Sequence, residues 1–279
     1  MKKPVILNLI KPIKTDNEFY KRWERVGKVI RNAPEQKDGI EVLAVDFNTE
    51  VTDEFLEDFE DLKYICSPTT GHTHLKYSNE NIKLITLRGE TGFLREVRSV
   101  AEFTFKQMLE LSRPKDRLGQ TLAGKMIGII GIGRIGNHVL QIAKTFQMKP
   151  LLYDKPSNKK ELRLIFKLAD FIVIALDENP STIGLIDQKL LYSMKSTAFL
   201  INNARGSIVD ELALVKSVRS GIIAGAAVDT IHIKEAYENI SNINLIVSPH
   251  IAGWTLEDRI KTDEFIIQKL EREINGRSH

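Results

Sequence analysis

The sequence predicts an α/β protein made of two doubly wound parallel-sheet domains. Short apolar strands alternate with amphipathic helices along the chain, which is typical of parallel strands joined by helical crossovers. A glycine-rich turn connects one of these strands to a helix in the second half of the chain. The length of 279 residues leaves room for two domains of ordinary size.

The N-terminal third of the chain carries one series of strands and helices. Strands are predicted at residues 5–10, 40–46, 62–66 and 81–87, because each is a short apolar run. Apolar residues at helical spacing predict a helix over residues 18–30, and Thr52 stands where the N-cap of a second helix is expected. This series is expected to fold as a small domain of its own.

The second series begins after a long helix predicted at residues 97–111. That helix is apolar on more than one side, which is expected of an element packed between domains or subunits. The strands that follow are predicted at residues 126–130, 149–154, 170–176, 197–202, 224–228 and 244–248. The helices are predicted at residues 137–146, 159–168, 187–192, 209–219 and 256–274.

The glycine-rich turn contains Gly131, Gly133 and Gly136 and follows directly on the strand at residues 126–130. Its spacing is the Gly-x-Gly-x-x-Gly of a dinucleotide-binding turn. The first glycine allows a tight turn, the second lets the backbone contact a pyrophosphate, and the third lets the helix pack close to the strand. The N–H groups at the start of that helix would face the anion. An ordinary strand–helix turn is the alternative, and the strand–loop–helix context favours dinucleotide binding.

An acidic residue ends the next strand. Asp154 lies close to the ~20 residues downstream at which a ribose-binding carboxylate is expected. A carboxylate there accepts hydrogen bonds from both ribose hydroxyls and repels a 2′-phosphate, so it favours NAD over NADP. Lys155 follows directly and weakens that preference. The predicted cofactor is NAD.

Composition and charge narrow the classes of partner. The net charge of +3 is small for this length and argues against nucleic acid as the main partner. No apolar run approaches the ~18 residues of a membrane span, so no membrane partner is predicted. The single Cys66 cannot form an internal disulfide, which predicts a reducing cytoplasm, and its apolar neighbours favour a buried thiol over a nucleophile. No metal site is predicted.

Three loops of the second series follow strands and carry polar residues. Arg205 lies in the first of them, Asp229 ends the next strand, and His250 lies in the third. The carboxyl ends of parallel strands meet at one edge of the sheet, where ligands bind. Taken alone, the arginine could be a solvated charge and the histidine a structural residue. Their combination with the glycine turn is more informative than any one of them.

In order and spacing, these motifs resemble the D-isomer-specific 2-hydroxyacid dehydrogenases, the family of phosphoglycerate and D-lactate dehydrogenases. The resemblance covers residues 69–74, 100–102, the glycine turn, and residues 203–206, 209–210, 224–229 and 249–253. It implies a flavodoxin-like substrate domain at residues 1–92, completed by a C-terminal helix at 255–279, and a Rossmann NAD-binding domain at 93–254. It also implies an oxidoreductase that transfers a hydride between NAD(H) and a small 2-oxo acid or D-2-hydroxy acid. Members of the family commonly pair through the nucleotide domain, and the apolar helix at residues 97–111 fits such pairing, so a homodimer is expected.

The resemblance implies three central roles in that reaction. Arg205 would pair with the carboxylate of the 2-oxo acid, a planar bidentate contact that lysine does not reproduce. His250 would donate a proton to the ketone oxygen during reduction and take it back during oxidation, which suits an imidazole. Asp229 would hold the nicotinamide carboxamide.

Contacts further from the reacting atoms are also implied by the resemblance. The backbone around Thr70 and Gly71 would donate N–H groups to the substrate carboxylate. Four cofactor contacts are implied beside the turn glycines and the ribose-binding acid: Arg134 and Ile135 at the pyrophosphate, and Asn203 and Ala204 at the nicotinamide.

The chain departs from the family pattern at the partner of the histidine. The family has a glutamate five residues after the carboxamide-binding aspartate, and this glutamate raises the pKa of the histidine. Lys234 occupies that position here, and Glu235 follows one place later. If the loop shifts by one residue, Glu235 reaches His250 as a catalytic partner; if it does not, a nearby lysine lowers the pKa of the imidazole. The stretch between Asp154 and the next strand is also short, so a helix or strand of the family is predicted to be missing.

Two other functions stay open at this point. One is an NADH-binding family member with weakened chemistry that acts through a protein partner, which Lys234 motivates. The other is an NADP-dependent reductase of glyoxylate type, which Asp154 opposes. The presence of Arg205, Asp229 and His250 together favours the NAD-dependent dehydrogenase.

Overall fold

The computed structural model describes residues 3–12, 16, 18–35, 37–114, 118–154, 158–241 and 243–276. The chain divides into two compact units. Unit 1 contains residues 1–96 and 255–279, and unit 2 contains residues 97–254. The boundaries predicted from the sequence lie after residues 92 and 254.

Unit 1 is built on a five-stranded parallel sheet. Its strands are β1 (Val5–Asn8), β2 (Lys28–Ile30), β3 (Ile40–Ala44), β5 (Tyr64–Ser67) and β7 (Lys83–Thr86). They lie in the order β2-β1-β3-β5-β7, with the first strand inside the sheet, which is the predicted flavodoxin-like order. Two short strands, β4 (Val51–Thr52) and β6 (Leu75–Lys76), pair separately.

The helices of unit 1 are α1 (Phe19–Glu24), α2 (Asp53–Leu56), α3 (Thr91–Leu94) and the long C-terminal α9 (Leu256–Gly276). Thr52 caps α2, because its hydroxyl oxygen accepts a hydrogen bond from the Phe55 N–H at 3.1 Å. The N-cap predicted from the sequence is thereby confirmed.

The helix predicted over residues 18–30 is wrong in its second half. The helix ends at Glu24, and residues 28–30 form β2, which pairs in parallel with β1. The Lys28 N–H donates to the Pro4 carbonyl oxygen at 2.9 Å, and a side chain on Gly27 would collide with that same oxygen. Apolar spacing in this stretch suits a helix or a strand, and pairing with β1 decides between them.

Unit 2 contains a six-stranded sheet formed by β8 (Met126–Ile130), β9 (Lys149–Tyr153), β10 (Phe171–Ile174), β11 (Phe199–Asn202), β12 (Gly225–Val228) and β13 (Leu245–Val247). Their order is β13-β12-β11-β10-β8-β9, and every pairing is parallel. Its helices are α4 (Ser99–Ser112), α5 (Arg134–Thr145), α6 (Lys159–Leu168), α7 (Gln188–Tyr192) and α8 (Glu211–Arg219). In the described part of the chain β9 is an edge strand and α6 leads straight back to β10, in line with the short interval after Asp154.

Both faces of the unit 2 sheet are covered. Phe171 and Val173 of β10 belong to one buried apolar cluster, and the alternating residues Ile172 and Ile174 belong to another. Neighbouring residues of a strand point to opposite faces, so the two clusters lie on the two sides of the sheet. Ligands are therefore expected at the ends of the strands rather than on a face.

The structure bears on the expectation of a buried thiol at Cys66 and on that of a chain without a membrane span. Cys66 is fully buried in β5, and burial raises the pKa of its thiol, so it is a structural group as predicted. Among the described residues, no helix combines the length and the apolar character needed to cross a membrane.

A cluster of charges lies between α1 and α9 in unit 1. Arg22 pairs with Asp16, and Arg259 pairs with Asp263 at 3.2 Å. Asp263 is fully buried. Burial raises the pKa of Asp263 from 3.8 to about 6, although the charges of Arg259 and Arg22 oppose the shift.

Asp263 should make the free energy of unfolding depend on pH. Its pKa in the folded protein lies above the unfolded value, so the folded state holds a proton that the unfolded chain releases. The wild type should lose about 3 kcal/mol relative to Asp263→Asn as the pH rises from about 4 to about 6, and nothing more above that. Urea unfolding of both proteins across this range measures the difference, and a difference that does not change with pH would contradict the assignment.

Candidate active site

The turn after β8 lies where the order of the unit 2 sheet reverses. The chain runs from β8 outward to β9 and then crosses back to β10 on the other side of β8. Gly131 follows β8 with a φ of +101°, in the region that favours glycine. A Cβ on Gly131 would lie 2.5 Å from the carbonyl oxygen of Ala175, just after β10. Close packing of the two loops thus requires glycine here.

The other two glycines of the turn differ from each other. Gly136 lies in the first turn of α5, and a Cβ there would collide with the Gly131 carbonyl oxygen. Gly133 precedes α5, and a Cβ there would meet no atom within 4 Å. Within the described part of the chain, no side chain caps α5. Packing therefore accounts for Gly131 and Gly136, whereas at Gly133 the protein leaves open space.

Asp154 follows β9 and lies beside the glycine turn. Its Oδ1 accepts a hydrogen bond from the Ile132 N–H at 3.2 Å. The Gly131 N–H donates to the Tyr153 carbonyl oxygen at 2.6 Å, which fixes the end of β9 against the turn. The Asp154 residue is exposed, so its carboxylate is accessible next to the first glycine.

The two residues after Gly133 are half-buried. Arg134 donates through Nη1 to the Val97 carbonyl oxygen at 3.1 Å, which fixes its guanidinium just before α4. Ile135 packs against the apolar cluster under the sheet. Both side chains are therefore ordered by protein contacts at the start of α5.

The loop after β11 presents Arg205 through local hydrogen bonds. Asn202 is buried; its Oδ1 accepts from the Ala204 N–H at 3.1 Å and its Nδ2 donates to the Arg205 carbonyl oxygen at 2.9 Å. Arg205 donates through Nη1 to the Ala204 carbonyl oxygen at 2.8 Å, which leaves other guanidinium N–H groups available. Asn203 donates to Thr104 of α4 at 2.9 Å, and its buried Oδ1 has no hydrogen-bond partner among the described residues.

Asp229 follows β12, and its buried carboxylate anchors the loop after β13. Oδ1 accepts from the Ser248 hydroxyl at 2.6 Å and from the Ile251 N–H at 2.9 Å. Oδ2 accepts from the Ala252 N–H at 2.8 Å, and the Asp229 carbonyl oxygen accepts from the His250 N–H at 2.8 Å. A carboxylate offers about four acceptor positions, so Oδ2 keeps one for a ligand.

His250 lies in this loop with a φ of +57°, a left-handed conformation that is uncommon outside glycine. The residue is exposed to solvent. Nearby protein atoms and then the Arg205 guanidinium lower the pKa of His250, and the Asp229 carboxylate opposes them. The structure thus brings the predicted residues Arg205, Asp229 and His250 within electrostatic reach of one another at one edge of the sheet.

Glu235 lies in the segment after β12 that packs beside α8. It lies in a short 3-10 helix, Lys234–Tyr237, and lines a surface cavity of about 670 Å³ together with residues of α8. The carboxylate whose charge raises the pKa of His250 is Asp229. A catalytic role for Glu235 stays a prediction.

The buried Glu211 of α8 explains why the 3-10 helix Lys234–Tyr237 lies against α8. The Glu211 carboxylate accepts hydrogen bonds from the N–H groups of His232 at 3.0 Å and Ile233 at 2.6 Å. The Tyr237 hydroxyl donates to it at 3.1 Å, and burial together with the Glu211 charge raises the pKa of Tyr237, which keeps that hydroxyl protonated. Both sides of the 3-10 helix are therefore fixed to Glu211.

In unit 1, the predicted substrate-binding backbone lies in the loop after β5. Thr70 is exposed and Gly71 is half-buried. The Thr69 hydroxyl donates to the Gly71 carbonyl oxygen at 3.0 Å, and the Thr69 carbonyl oxygen accepts from the Leu87 N–H at 3.1 Å. These bonds hold the loop at the carboxyl edge of the unit 1 sheet.

Three residues that shape the site were not predicted. Asn137 donates through Nδ2 to the carbonyl oxygens of Ile132 at 2.8 Å and Gly133 at 2.9 Å, and so fixes the glycine turn. Ser248 and Glu211 fix the loops after β13 and β12. Glu211 looks in the sequence like any first-turn acid of a helix, and Ser248 like the end of a strand. Their partners lie far away in the chain, so only the fold could identify them.

Residues 91–252 match the family model described as the NAD binding domain of D-isomer specific 2-hydroxyacid dehydrogenases. A putative 2-hydroxyacid dehydrogenase of Staphylococcus haemolyticus is 32% identical over 273 residues, which cover 86% of this chain and 84% of that relative. The chain belongs to the D-isomer specific 2-hydroxyacid dehydrogenase family. The matched domain contains the glycine turn, Arg205, Asp229 and His250. The resemblance predicted from the motifs is confirmed, and with it the class of NAD-dependent oxidoreductase.

Other family members and solved structures give the same result. A glyoxylate reductase of Pyrococcus furiosus is 38% identical over 170 residues, which cover 56% of this chain and 50% of that enzyme. The matched part thus spans about half of that enzyme. A D-lactate dehydrogenase of Aquifex aeolicus, solved with NAD and lactic acid, has a TM-score of 0.76 at 23% identity and covers 98% of this chain and 96% of its own. This structural likeness confirms the predicted α/β fold class.

Proposed function

We propose that the protein interconverts a small 2-oxo acid and the corresponding D-2-hydroxy acid, with NAD(H) as the hydride carrier. The observation that carries this proposal is the convergence of Arg205, Asp229 and His250 at the carboxyl edge of the unit 2 sheet. A guanidinium for a carboxylate and an imidazole for a proton are the two groups that reduction of a 2-oxo acid needs from the protein.

The residues around the turn fit a dinucleotide. The open space over Gly133 and the uncapped start of α5 suit a pyrophosphate. Asp154 suits the ribose hydroxyls, and the unpartnered Asn203 Oδ1 and the remaining acceptor position of Asp229 suit a carboxamide NH₂ group. When bound, NADH supplies the hydride. Further contacts proposed for the cofactor are Arg134, Ile135 and Ala204.

The side chains of the protein would bind the acid and move one proton. Arg205 would hold the substrate carboxylate through two parallel hydrogen bonds. His250 would donate its proton to the carbonyl oxygen during reduction and accept one from the hydroxyl during oxidation. The N–H groups of Thr70 and Gly71 are proposed as further donors to the substrate.

Arg205 would also determine when the histidine is charged. Its guanidinium lowers the pKa of His250 in the absence of substrate. A carboxylate bound to Arg205 offsets that positive charge, so the pKa of His250 rises and the imidazole gains its proton as the substrate binds. The proton donor is thus assembled together with the substrate that needs it.

The test of this function is consumption of NADH, followed by its absorbance, with a panel of small 2-oxo acids that begins with glyoxylate and pyruvate. We expect turnover with at least one acid, and formation of the D-2-hydroxy acid as product. Binding of NADH without oxidation by any acid on the panel would contradict the proposal.

The position of Glu235 favours one alternative function. Glu235 lines a cavity with α8, and the acid that raises the pKa of His250 is Asp229. An NADH-binding protein with weakened chemistry, acting through a protein partner, would tolerate that arrangement. It predicts about micromolar affinity for NADH and no turnover on the panel. One efficient substrate would exclude it.

Asp154 should determine the choice of cofactor. We expect Asp154→Ala to raise the ratio of kcat/KM for NADPH over NADH about 10-fold, because the variant no longer repels a 2′-phosphate. Glu161→Ala, which removes an exposed carboxylate from α6, is the matched control and should leave the ratio unchanged. An unchanged ratio in Asp154→Ala would remove the basis for NAD preference.

We propose in addition that the protein is a cytoplasmic homodimer. The buried thiol of Cys66 suits a reducing compartment. Phe103 and Leu109 of α4 are only half-buried, between charged residues of the same helix, so a partner could cover them. Light scattering should give twice the mass of the chain at micromolar concentration, and a monomer would exclude pairing.

A further inference from the structure

We propose that Ser248 is a positioning residue for His250: its hydroxyl, acting through the Asp229 carboxylate, holds the segment 248–252 that presents the imidazole. This inference rests on the proposed function, because it concerns the proton donor of that reaction. Neither the motif of the loop nor the predicted role of Asp229 toward the carboxamide requires it.

The hydroxyl of Ser248 has one proton and two acceptors within reach. Oγ lies 2.6 Å from Asp229 Oδ1 and 3.3 Å from the Val228 carbonyl oxygen. The shorter contact is to a charged group, and hydrogen bonds to charged acceptors are the stronger ones. The proton is therefore assigned to Asp229. The Gln107 Nε2 of α4 is itself a donor and lies 3.5 Å from the Ser248 oxygen. The Ser248 proton therefore points away from Gln107, which is consistent with this assignment.

The carboxylate transmits this contact to the histidine. Asp229 accepts N–H groups from Ile251 and Ala252, which follow His250, and its carbonyl oxygen accepts the His250 N–H itself. Ser248 precedes His250 by two residues. The histidine is thus held on both sides by one carboxylate, and rotation of that carboxylate would move the segment that carries the ring.

The left-handed backbone conformation of His250 explains why the segment needs these hydrogen bonds. Its φ of +57° is costly for a residue with a side chain, by about 1–3 kcal/mol, and persists only where surrounding contacts impose it. The contacts that impose it here are the bonds to Asp229. Ser248 donates to this carboxylate through its side chain, whereas Ile251 and Ala252 donate through backbone N–H groups.

Ser248→Ala tests the inference by removing the hydroxyl alone. We expect kcat for reduction to fall about 10-fold while the Kd for NADH rises by only about 2- to 3-fold, because the proton donor loses its position whereas the glycine turn and Asp154 still hold most of the cofactor. Amide hydrogen exchange of residues 250–252 should become faster. Ser248→Thr keeps a hydroxyl and should restore both properties.

Ser217→Ala is the matched control. Ser217 is a buried serine of α8 in the same unit, and its hydroxyl donates to the Ala213 carbonyl oxygen at 2.6 Å, away from the loop. It should change neither kcat nor exchange at residues 250–252. Equal losses of kcat and stability in the two alanine variants would show a merely structural role and overturn the inference.

The remaining outcomes separate this inference from the proposed function. An unchanged kcat and unchanged exchange in Ser248→Ala would overturn the inference while wild-type turnover supports the function. If the wild type turns over no 2-oxo acid but exchange at residues 250–252 still responds to Ser248→Ala, the function fails and the anchoring stands.

Discussion

Replacement of His250 by alanine should slow reduction of the 2-oxo acid about 10²- to 10⁴-fold, the range for loss of a positioned general acid. His250 lies in a surface loop at the edge of the sheet, within electrostatic reach of Arg205, so the variant removes a proton donor without opening a cavity in the core. Affinity for NADH should be almost unchanged, because the glycine turn does not involve this side chain. Steady-state kinetics and NADH fluorescence measure the two effects separately.

His232→Ala is the control for that experiment. His232 is an exposed histidine of the same unit, in the loop after β12, and only its backbone N–H takes part in the contact with Glu211. It should keep full turnover. Equal rates for His250→Ala and the wild type would refute the assigned role of the imidazole, whereas equal losses in both variants would point to damage to the loops.

The dependence on pH should identify the same group. Reduction needs the protonated imidazole, so kcat/KM should fall as the pH rises through the pKa of His250 in the free enzyme. Loss of solvent around the ring and the Arg205 charge place that pKa below the ordinary 6.5. The corresponding limb on kcat should lie at higher pH, because substrate bound to Arg205 offsets the guanidinium. If kcat and kcat/KM fall over the same pH range, bound substrate does not change the pKa of His250 through Arg205.

The sequence predicted the parts of the fold that depend on local pattern. Buried parallel strands are continuous apolar runs, and the strand at residues 126–130 has the predicted bounds in the structure. The strand at residues 28–30 was missed because its identity depends on pairing with β1, which is a contact between distant residues. The three-residue strand is also too short to show a period of its own.

The same distinction holds in the candidate site. The glycine spacing predicted the turn because Gly131 and Gly136 allow close packing of the backbone, and Gly133 leaves open space between them. The partner of His250 could not be predicted, since it depends on where the loop after β12 lies. That loop is held by Glu211 on α8, and Glu235 lines a cavity beside α8, a position that the spacing from Asp229 does not reveal.

The two glycines that flank the start of α5 should respond to alanine in opposite ways. Gly136→Ala should lower the free energy of unfolding by about 3 kcal/mol or more, because its Cβ would collide with the Gly131 backbone and neither strand β8 nor helix α5 can move without breaking its packing. Gly133→Ala should leave stability nearly unchanged, because its Cβ meets no protein atom. It should instead weaken binding of NADH at least about 10-fold, because the methyl group occupies the space proposed for the pyrophosphate.

Urea unfolding and NADH titration of the same two variants test this division. A stable Gly136→Ala would mean that helix α5 is not packed against the turn as described. A Gly133→Ala that binds NADH as tightly as the wild type would mean that no pyrophosphate approaches that backbone. The pair thus separates what the glycines do for the fold from what they do for the cofactor: Gly136 acts through an atom of the protein, the Gly131 carbonyl oxygen, whereas Gly133 acts through space that only a ligand would fill.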